Sequence, residues 1–230
     1  IGRVTRIRVA TYNILMGGRR GAVVHDVVRR LDADVQLVNE SPKQPLLWKR
    51  RCRALAERWQ MRYVAGGRPA GSNMVVVGPR VAVKSSGAER LKQPLFQPRR
   101  GIAWAQLRVE GRLIGAVSCH LSLDRERRLR EVQRVIEVAS TLRGPVVVAG
   151  DLNEPPRGPS WQRLRDAGFV DHGDNTWETF PAEDPRTRID ALLVRGTTAT
   201  VLSHGDPGLP DQLLRAASDH RPLSAEIELL

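Results

Sequence analysis

The segment GPVVVAGDLNEPPRGPSW, residues 144–161, carries the strongest structural signal in the chain. Residues 146–149 form a short, continuous apolar run, which is typical of a strand buried on both faces. Gly150, Asp151 and Asn153 follow at once, and two prolines stiffen the exit. In layered α/β proteins, functional sites collect where core strands end and loops begin. The segment therefore predicts a buried strand that mounts Asp151 and Asn153 at such a site.

Apolar periodicity predicts the other elements, and their order favours two mixed β-sheets packed face to face with helices outside. We expect one domain over residues 1–230. The segment 90–101 is expected to form a long basic loop. Helices are predicted at residues 21–34, 44–59 and 124–144, and strands at residues 5–15, 35–38, 61–66, 73–78, 80–85, 146–149, 188–195, 199–204 and 223–229, with a hairpin over 101–122.

The composition restricts the class of protein. The chain has 37 basic and 25 acidic residues, a formal charge of +12, which favours a polyanionic partner such as nucleic acid or an anionic lipid surface over a merely solvated basic surface. Cys52 and Cys119 are predicted to be reduced thiols, since two cysteines provide neither a disulfide framework nor zinc spacing. No apolar run approaches the roughly 18 residues of a membrane span. We expect a cytoplasmic monomer without a transmembrane segment.

Polar side chains recur at the ends of the predicted core strands. Each one alone has an ordinary structural explanation as a turn, cap or satisfied core residue. Together they have the chemistry of one reaction. They are Asn13, Glu40, His120, Asp151, Asn153, Asp190, Asp219 and His220.

That reaction is attack on a phosphorus ester. Carboxylate and amide oxygens are hard ligands that suit Mg²⁺ or Mn²⁺. A further carboxylate can orient or deprotonate the attacking water. Two histidines can face the non-bridging phosphate oxygens, where negative charge develops.

The motifs TYN, NE, SCHLS, VVVAGDLNEPP, RIDALLV and SDHRP extend over nearly the whole chain. The motifs and their order resemble those of the endonuclease/exonuclease/phosphatase superfamily, which has the fold of pancreatic deoxyribonuclease. The resemblance implies a four-layer αββα sandwich with a divalent-metal site between the sheets. Within it, Glu40 is expected to be the main metal ligand, with Asn13 and Asp219 completing the metal surroundings.

The same resemblance implies roles for the catalytic residues. Asp151 is expected to orient and activate the nucleophilic water, and Asn153 to hold Asp151 and the phosphate. His120 and His220 are expected to bind phosphate oxygens. Asp190 is expected to accept a hydrogen bond from His220 and fix its tautomer.

Two positions differ from the pattern of abasic-site endonucleases and disfavour that branch of the superfamily. Abasic-site endonucleases of this superfamily usually carry an amide or acid where this chain has Leu15, and tyrosine where it has His120. The CHL form is more similar to the deoxyribonuclease, phosphatase and sphingomyelinase branches. Asn39 replaces the more usual glutamine before the metal-binding glutamate, and little effect is expected.

Three hypotheses about the function remain open. A nuclease is the first, because Arg99 and Arg100 can hold backbone phosphates and Phe96 can stack a base, with Asn73 as a further candidate substrate-binding residue. The second is a phosphatase or phosphodiesterase for a lipid or small-molecule phosphate. The third, a metal-free binding module, is disfavoured by the complete set of site residues.

Overall fold

The computed structural model describes residues 4–17, 21–173 and 176–230. Two mixed six-stranded sheets form its centre. In the first sheet β1 and β2 are parallel, and the other neighbouring pairs are antiparallel. Its strands, in spatial order, are β11 (Ala199–Gly205), β12 (Leu223–Leu229), β1 (Thr5–Asn13), β2 (Val35–Asn39), β4 (Asn73–Val77) and β3 (Arg62–Gly67).

The second sheet has the same plan, with β7 and β8 parallel and the other neighbouring pairs antiparallel. Its strands, in spatial order, are β5 (Ala82–Leu91), β6 (Arg100–Val109), β7 (Arg112–His120), β8 (Val146–Asp151), β10 (Asp190–Arg195) and β9 (Val170–Asp171). The described residues also form five α-helices, which are α1 (Gly21–Leu31), α2 (Trp48–Arg58), α3 (Arg125–Ser140), α4 (Pro159–Asp166) and α5 (Asp211–Ala217).

Three apolar clusters define four layers and confirm the predicted αββα sandwich. The central cluster lies between the two sheets and includes Leu37 and Val147. A second cluster packs α3 and α4 on the outer face of the second sheet. The third packs α1, α2 and α5 on the outer face of the first sheet. Strands buried on both faces explain the near-continuous apolar runs of β4 and β8.

Several element boundaries differ from the sequence predictions. The predicted loop 90–101 is shorter, because β5 continues to Leu91 and β6 begins at Arg100. Helix α2 begins at Trp48 rather than at residue 44: residues 45–47 form a turn, and Pro45 disfavours helical geometry at Gln44. Helices α4 and α5 and the short strand β9 are not predicted by the apolar periodicity of the sequence. None of the described helices is long and apolar enough to span a membrane.

Candidate active site

One row of residues crosses the second sheet and fixes the level of the site. Gly101 of β6 lies opposite His120 of β7, and His120 lies beside Asp151 of β8. Asp151 in turn lies opposite Asp190 of β10. In the first sheet, Asn13 and the neighbouring Asn39 end two parallel strands. All these strand ends meet at one edge of the sandwich, which we call the site edge.

Asn39 joins the two sheets directly below the site. Its side-chain amide donates to the Asn73 carbonyl oxygen and to the backbone oxygen of Cys119, both at 2.8 Å. The side-chain oxygen Oδ1 of Asn39 accepts a hydrogen bond from the Asp151 backbone N–H at 2.9 Å. A Cβ at Gly150 would lie only 1.9 Å from the Cys119 oxygen, which explains glycine before the aspartate. The backbone that carries Asp151 is therefore held by both sheets.

The Asp151 carboxylate is buried and lies among four polar groups. Its Oδ1 accepts from the Asn153 backbone N–H at 2.9 Å. Its Oδ2 lies 3.3 Å from the Asn13 amide nitrogen, 3.2 Å from His120 Nε2 and 3.7 Å from His220 Nε2. Asn13, His120 and His220, which come from three separate strand-end motifs, therefore lie around one carboxylate oxygen.

His120 is buried in surroundings that disfavour a charged ring. Burial lowers the pKa of His120 to about 3, and the positive charges of Arg100 and His220 act in the same direction, while Asp151 opposes them. The ring is therefore neutral at physiological pH. Its Nε2 lies beside Asp151, whereas its Nδ1 is buried and has no hydrogen-bond partner among the described residues.

His220 has the opposite electrostatic character. Its Nδ1 donates to Asp190 Oδ2 at 2.8 Å, and both side chains are buried. Burial alone would lower the pKa of His220, but the charge and hydrogen bond of Asp190, with the charges of Asp151 and Asp219, raise it to about 10. The ring of Phe180 packs beside the imidazole, with centroids 4.9 Å apart. The site thus contains one neutral and one cationic histidine.

Two sets of groups offer ligands for a divalent metal. Ligand atoms of Asp151, Asp190 and His220 lie within 4.8 Å of one another, and Asp190 Oδ1 is buried without a hydrogen-bond partner among the described residues. Within that set, Nδ1 of His220 already bonds to Asp190 Oδ2 at 2.8 Å. Glu40 and Asp219 are half-buried at the same edge, and no described residue forms a hydrogen bond or ion pair with the Glu40 carboxylate. The hard-oxygen surroundings therefore fit a divalent cation.

The loop after β8 is supported by a buried ion pair that was not predicted from the sequence. Arg128 of α3 contacts Glu154 at 2.8 Å and also donates to the backbone oxygen of Ser122. The other Glu154 oxygen accepts from the Ser160 backbone N–H at 2.7 Å. Within this loop the Asn153 amide donates to the Leu121 backbone oxygen, so its position is also fixed. Glu154 belongs to the NEPP motif, but the sequence does not show that its partner is Arg128, which lies on α3.

The three predicted substrate-binding residues lie in different environments. Arg100 is half-buried at the site edge, where burial lowers its pKa and the charges of Asp151 and Glu40 oppose that shift. Arg99 is exposed next to it. The Asn73 side chain is fully buried, and its amide donates to the backbone oxygens of Ala70 and Gly101 while its oxygen accepts from Asn39. Its contacts join the two sheets and leave no exposed polar atom for a substrate.

The sequence profile of the Endonuclease/Exonuclease/phosphatase family matches residues 10–220. The chain therefore belongs to this family of phosphate-ester hydrolases, as its motifs suggested. It is also similar to a curated relative, the uncharacterized protein YbhP of Escherichia coli strain K12, with 30% identity over 140 residues, or 57% of this chain and 53% of YbhP. The chain thus spans about half the length of the curated relatives that it matches.

Solved structures show the same fold. An endonuclease/exonuclease/phosphatase from Bacteroides vulgatus superimposes with a TM-score of 0.79 and 20% identity, covering 98% of this chain and 100% of the other. A mannosyl-6-phosphatase from Bacteroides thetaiotaomicron gives a TM-score of 0.76 and 16% identity, covering 96% and 99% of the two chains. At these identities the likeness concerns the fold alone.

Proposed function

We propose that this protein is a phosphodiesterase that requires Mg²⁺ or Mn²⁺. The observation that carries the proposal is the arrangement around Asp151, where one carboxylate lies beside His120, Asn13 and the Asp190–His220 pair. Glu40, with Asn13 and Asp219, would hold the metal. When bound, a divalent ion supplies positive charge for the phosphate oxygens and for the attacking water.

The residues of this chain suggest a hydrolytic reaction. Asp151 would orient a water molecule and accept its proton as the new P–O bond forms. The opposite P–O ester bond breaks, and the departing oxygen takes up a proton. His120 and His220 would face the non-bridging oxygens, and Asn153 would help to hold Asp151 and the phosphate. Asp190 would keep the Nδ1 proton of His220 in place, so that its Nε2 faces the reacting group.

Nucleic acid is the first candidate substrate, which would make the protein a nuclease. The excess of basic residues attracts polyanions, and Arg100 lies close enough to Asp151 for their charges to interact. Arg99 extends the positive charge into solvent. Such groups hold a phosphate backbone without reading its sequence.

A lipid phosphodiester is the second candidate, and a different observation favours it. Large apolar side chains are highly exposed in loops at the site edge, including Leu46 at 94% and Leu95 at 81%. Aliphatic groups contribute little to binding a polyanion in water. They suit a substrate that is embedded in an apolar phase.

A substrate panel distinguishes these candidates. Purified protein with Mg²⁺ or Mn²⁺ would be tested on single- and double-stranded DNA, RNA, sphingomyelin, glycerophospholipids, inositol phosphates and a generic aryl phosphodiester. We expect metal-dependent cleavage of at least one phosphodiester and loss of that cleavage in Asp151→Asn. Turnover confined to phosphomonoesters would contradict the proposed phosphodiesterase.

A further inference from the structure

The exposed apolar side chains of this protein are unevenly distributed. Among the described residues, ten large hydrophobic side chains are exposed, and the four above three-quarters exposure all lie in loops at the site edge. Singly scattered exposed leucines are ordinary, whereas a concentration at one edge marks an interaction surface. We define the apolar rim as the six exposed residues of this edge, which are Met16, Leu46, Leu47, Leu95, Phe96 and Leu123.

The rim comes from separate parts of the chain that the topology brings to one edge. Leu46 and Leu47 follow β2, which ends at Asn39 beside Asn13. Leu95 and Phe96 precede β6, whose Gly101 lies opposite His120, and Leu123 follows β7. The rim therefore flanks the same strand ends that carry the candidate active site.

The most exposed loop, residues 92–99, is anchored at its base. Gln93 donates to buried Glu131 of α3 at 2.5 Å, and the hydroxyl of Ser122 donates to the same carboxylate at 2.6 Å. Pro94 and Pro98 restrict the chain on both sides of Leu95 and Phe96. Phe96 is 96% exposed at the tip. Because the base of the loop is fixed, Leu95 and Phe96 cannot fold back onto the protein and stay exposed to solvent.

Positive charge accompanies the rim. Exposed cations occur in the same loops and at the start of α3, including Lys43, Lys92, Arg99 and Arg125. A groove of about 410 Å³ lies below the 92–99 loop, with the side chains of Lys92, Arg127 and Arg130 around it. Stable interfacial binding requires an apolar contribution and an electrostatic one, and the site edge supplies both.

We propose that the site edge docks on the surface of an anionic lipid bilayer, with the apolar rim in the headgroup region. The phosphodiesters of lipid headgroups would then lie against the candidate active site. Nucleic acid explains the cations but not the three most exposed leucines, since aliphatic side chains do not stack on bases as aromatic ones do. The choice of lipid as substrate rests on the proposed phosphodiesterase function, whereas docking can be measured without it.

Vesicle sedimentation tests docking directly. The protein is mixed with phosphatidylcholine vesicles, with or without phosphatidylglycerol, in low and in high salt. We expect binding to the anionic vesicles that weakens with salt. The combined Leu46→Ser, Leu95→Ser, Leu123→Ser variant should bind at least about tenfold more weakly, since each buried leucine contributes appreciable transfer free energy. The absence of vesicle binding at low salt would overturn the proposal.

A matched variant controls for general loss of surface apolarity. Val4, Val170 and Leu202 are each about half exposed and lie away from the site edge. Replacing all three with serine should leave vesicle binding unchanged. An equal loss in this control, or unchanged binding in the rim variant, would refute insertion of the rim. Thermal unfolding of both variants checks that they remain folded.

Three further measurements distinguish lipid docking from nucleic-acid binding and from failure of the proposed function. Phe96→Trp should show a blue shift of its added tryptophan emission with anionic vesicles, and no shift would count against docking. If the rim variant loses DNA affinity as strongly as vesicle affinity, the rim is a nucleic-acid surface and the proposal is wrong. Metal-dependent hydrolysis of a soluble aryl phosphodiester should persist in the rim variant. If the wild type docks but lacks this activity, the proposed function fails while docking stands.

Discussion

The Asp190–His220 pair gives the sharpest mutational prediction. Nδ1 of His220 donates to the Asp190 carboxylate at 2.8 Å, and both side chains are buried. If His220 contacts the phosphate, His220→Ala should lower kcat/KM by about 10²–10³, the usual loss for one donor to a developing negative charge. Asp190→Asn keeps the size of the side chain but can favour the wrong ring tautomer. It should lose much of the same factor.

The double variant decides whether the two residues act as a unit. If Asp190 acts through His220, the double variant should be about as impaired as the worse single one, because coupled residues are not additive. Independent effects would multiply to about 10⁴–10⁶ and refute the pairing. The assay is kcat/KM on the best substrate of the panel, with thermal unfolding to verify the fold. Asp184→Asn is the matched control, since this acid is exposed and pairs with Arg186 at the surface.

Three other predictions address the metal, the framework and the substrate. Glu40→Ala should weaken metal binding in calorimetry without lowering the melting temperature of the metal-free protein; unchanged affinity would remove Glu40 from the metal site. Asn39→Ala should lower the free energy of unfolding in urea by about 2–4 kcal/mol, because buried partners in both sheets lose their hydrogen bonds; a decrease below about 1 kcal/mol would contradict that framework role. If the protein is a nuclease, Arg99→Ala with Arg100→Ala should flatten the salt dependence of DNA binding, by about 0.9 in the log–log slope for each phosphate that the variant no longer neutralises. An unchanged slope would exclude these arginines from the DNA-binding surface.

The strands and their polar ends were predictable because both signals are local. A run such as residues 146–149 can be buried on both faces only in the interior of a layered fold, and the polar residues after it mark the strand end. Asn13 and Glu40 lie at one edge because the parallel strands β1 and β2 end together, and His120 and Asp151 do so because β7 and β8 end together. The family motifs then indicated the order of the layers.

The features that were missed depend on contacts between distant segments. Asn39 bonds to groups 80 and 112 residues away, so the letters VNE alone do not show that it joins the sheets. The short helix α5 places Leu214 and Ala217 against the outer face of the first sheet. Its seven residues provide too little periodicity to identify a helix. The exposure of Leu95 could not be predicted from the sequence either, because the tertiary structure determines whether a leucine in a loop packs against the core.

We propose above that Asp151 and a divalent metal together activate water at a phosphodiester. The most direct measurement is hydrolysis of a soluble aryl phosphodiester by chelator-treated protein during titration with Mg²⁺ or Mn²⁺, for the wild type and for Asp151→Asn. We expect no turnover in excess EDTA, recovery on addition of metal, and little recovery in the variant. Full turnover in excess EDTA, or full recovery in Asp151→Asn, would contradict it.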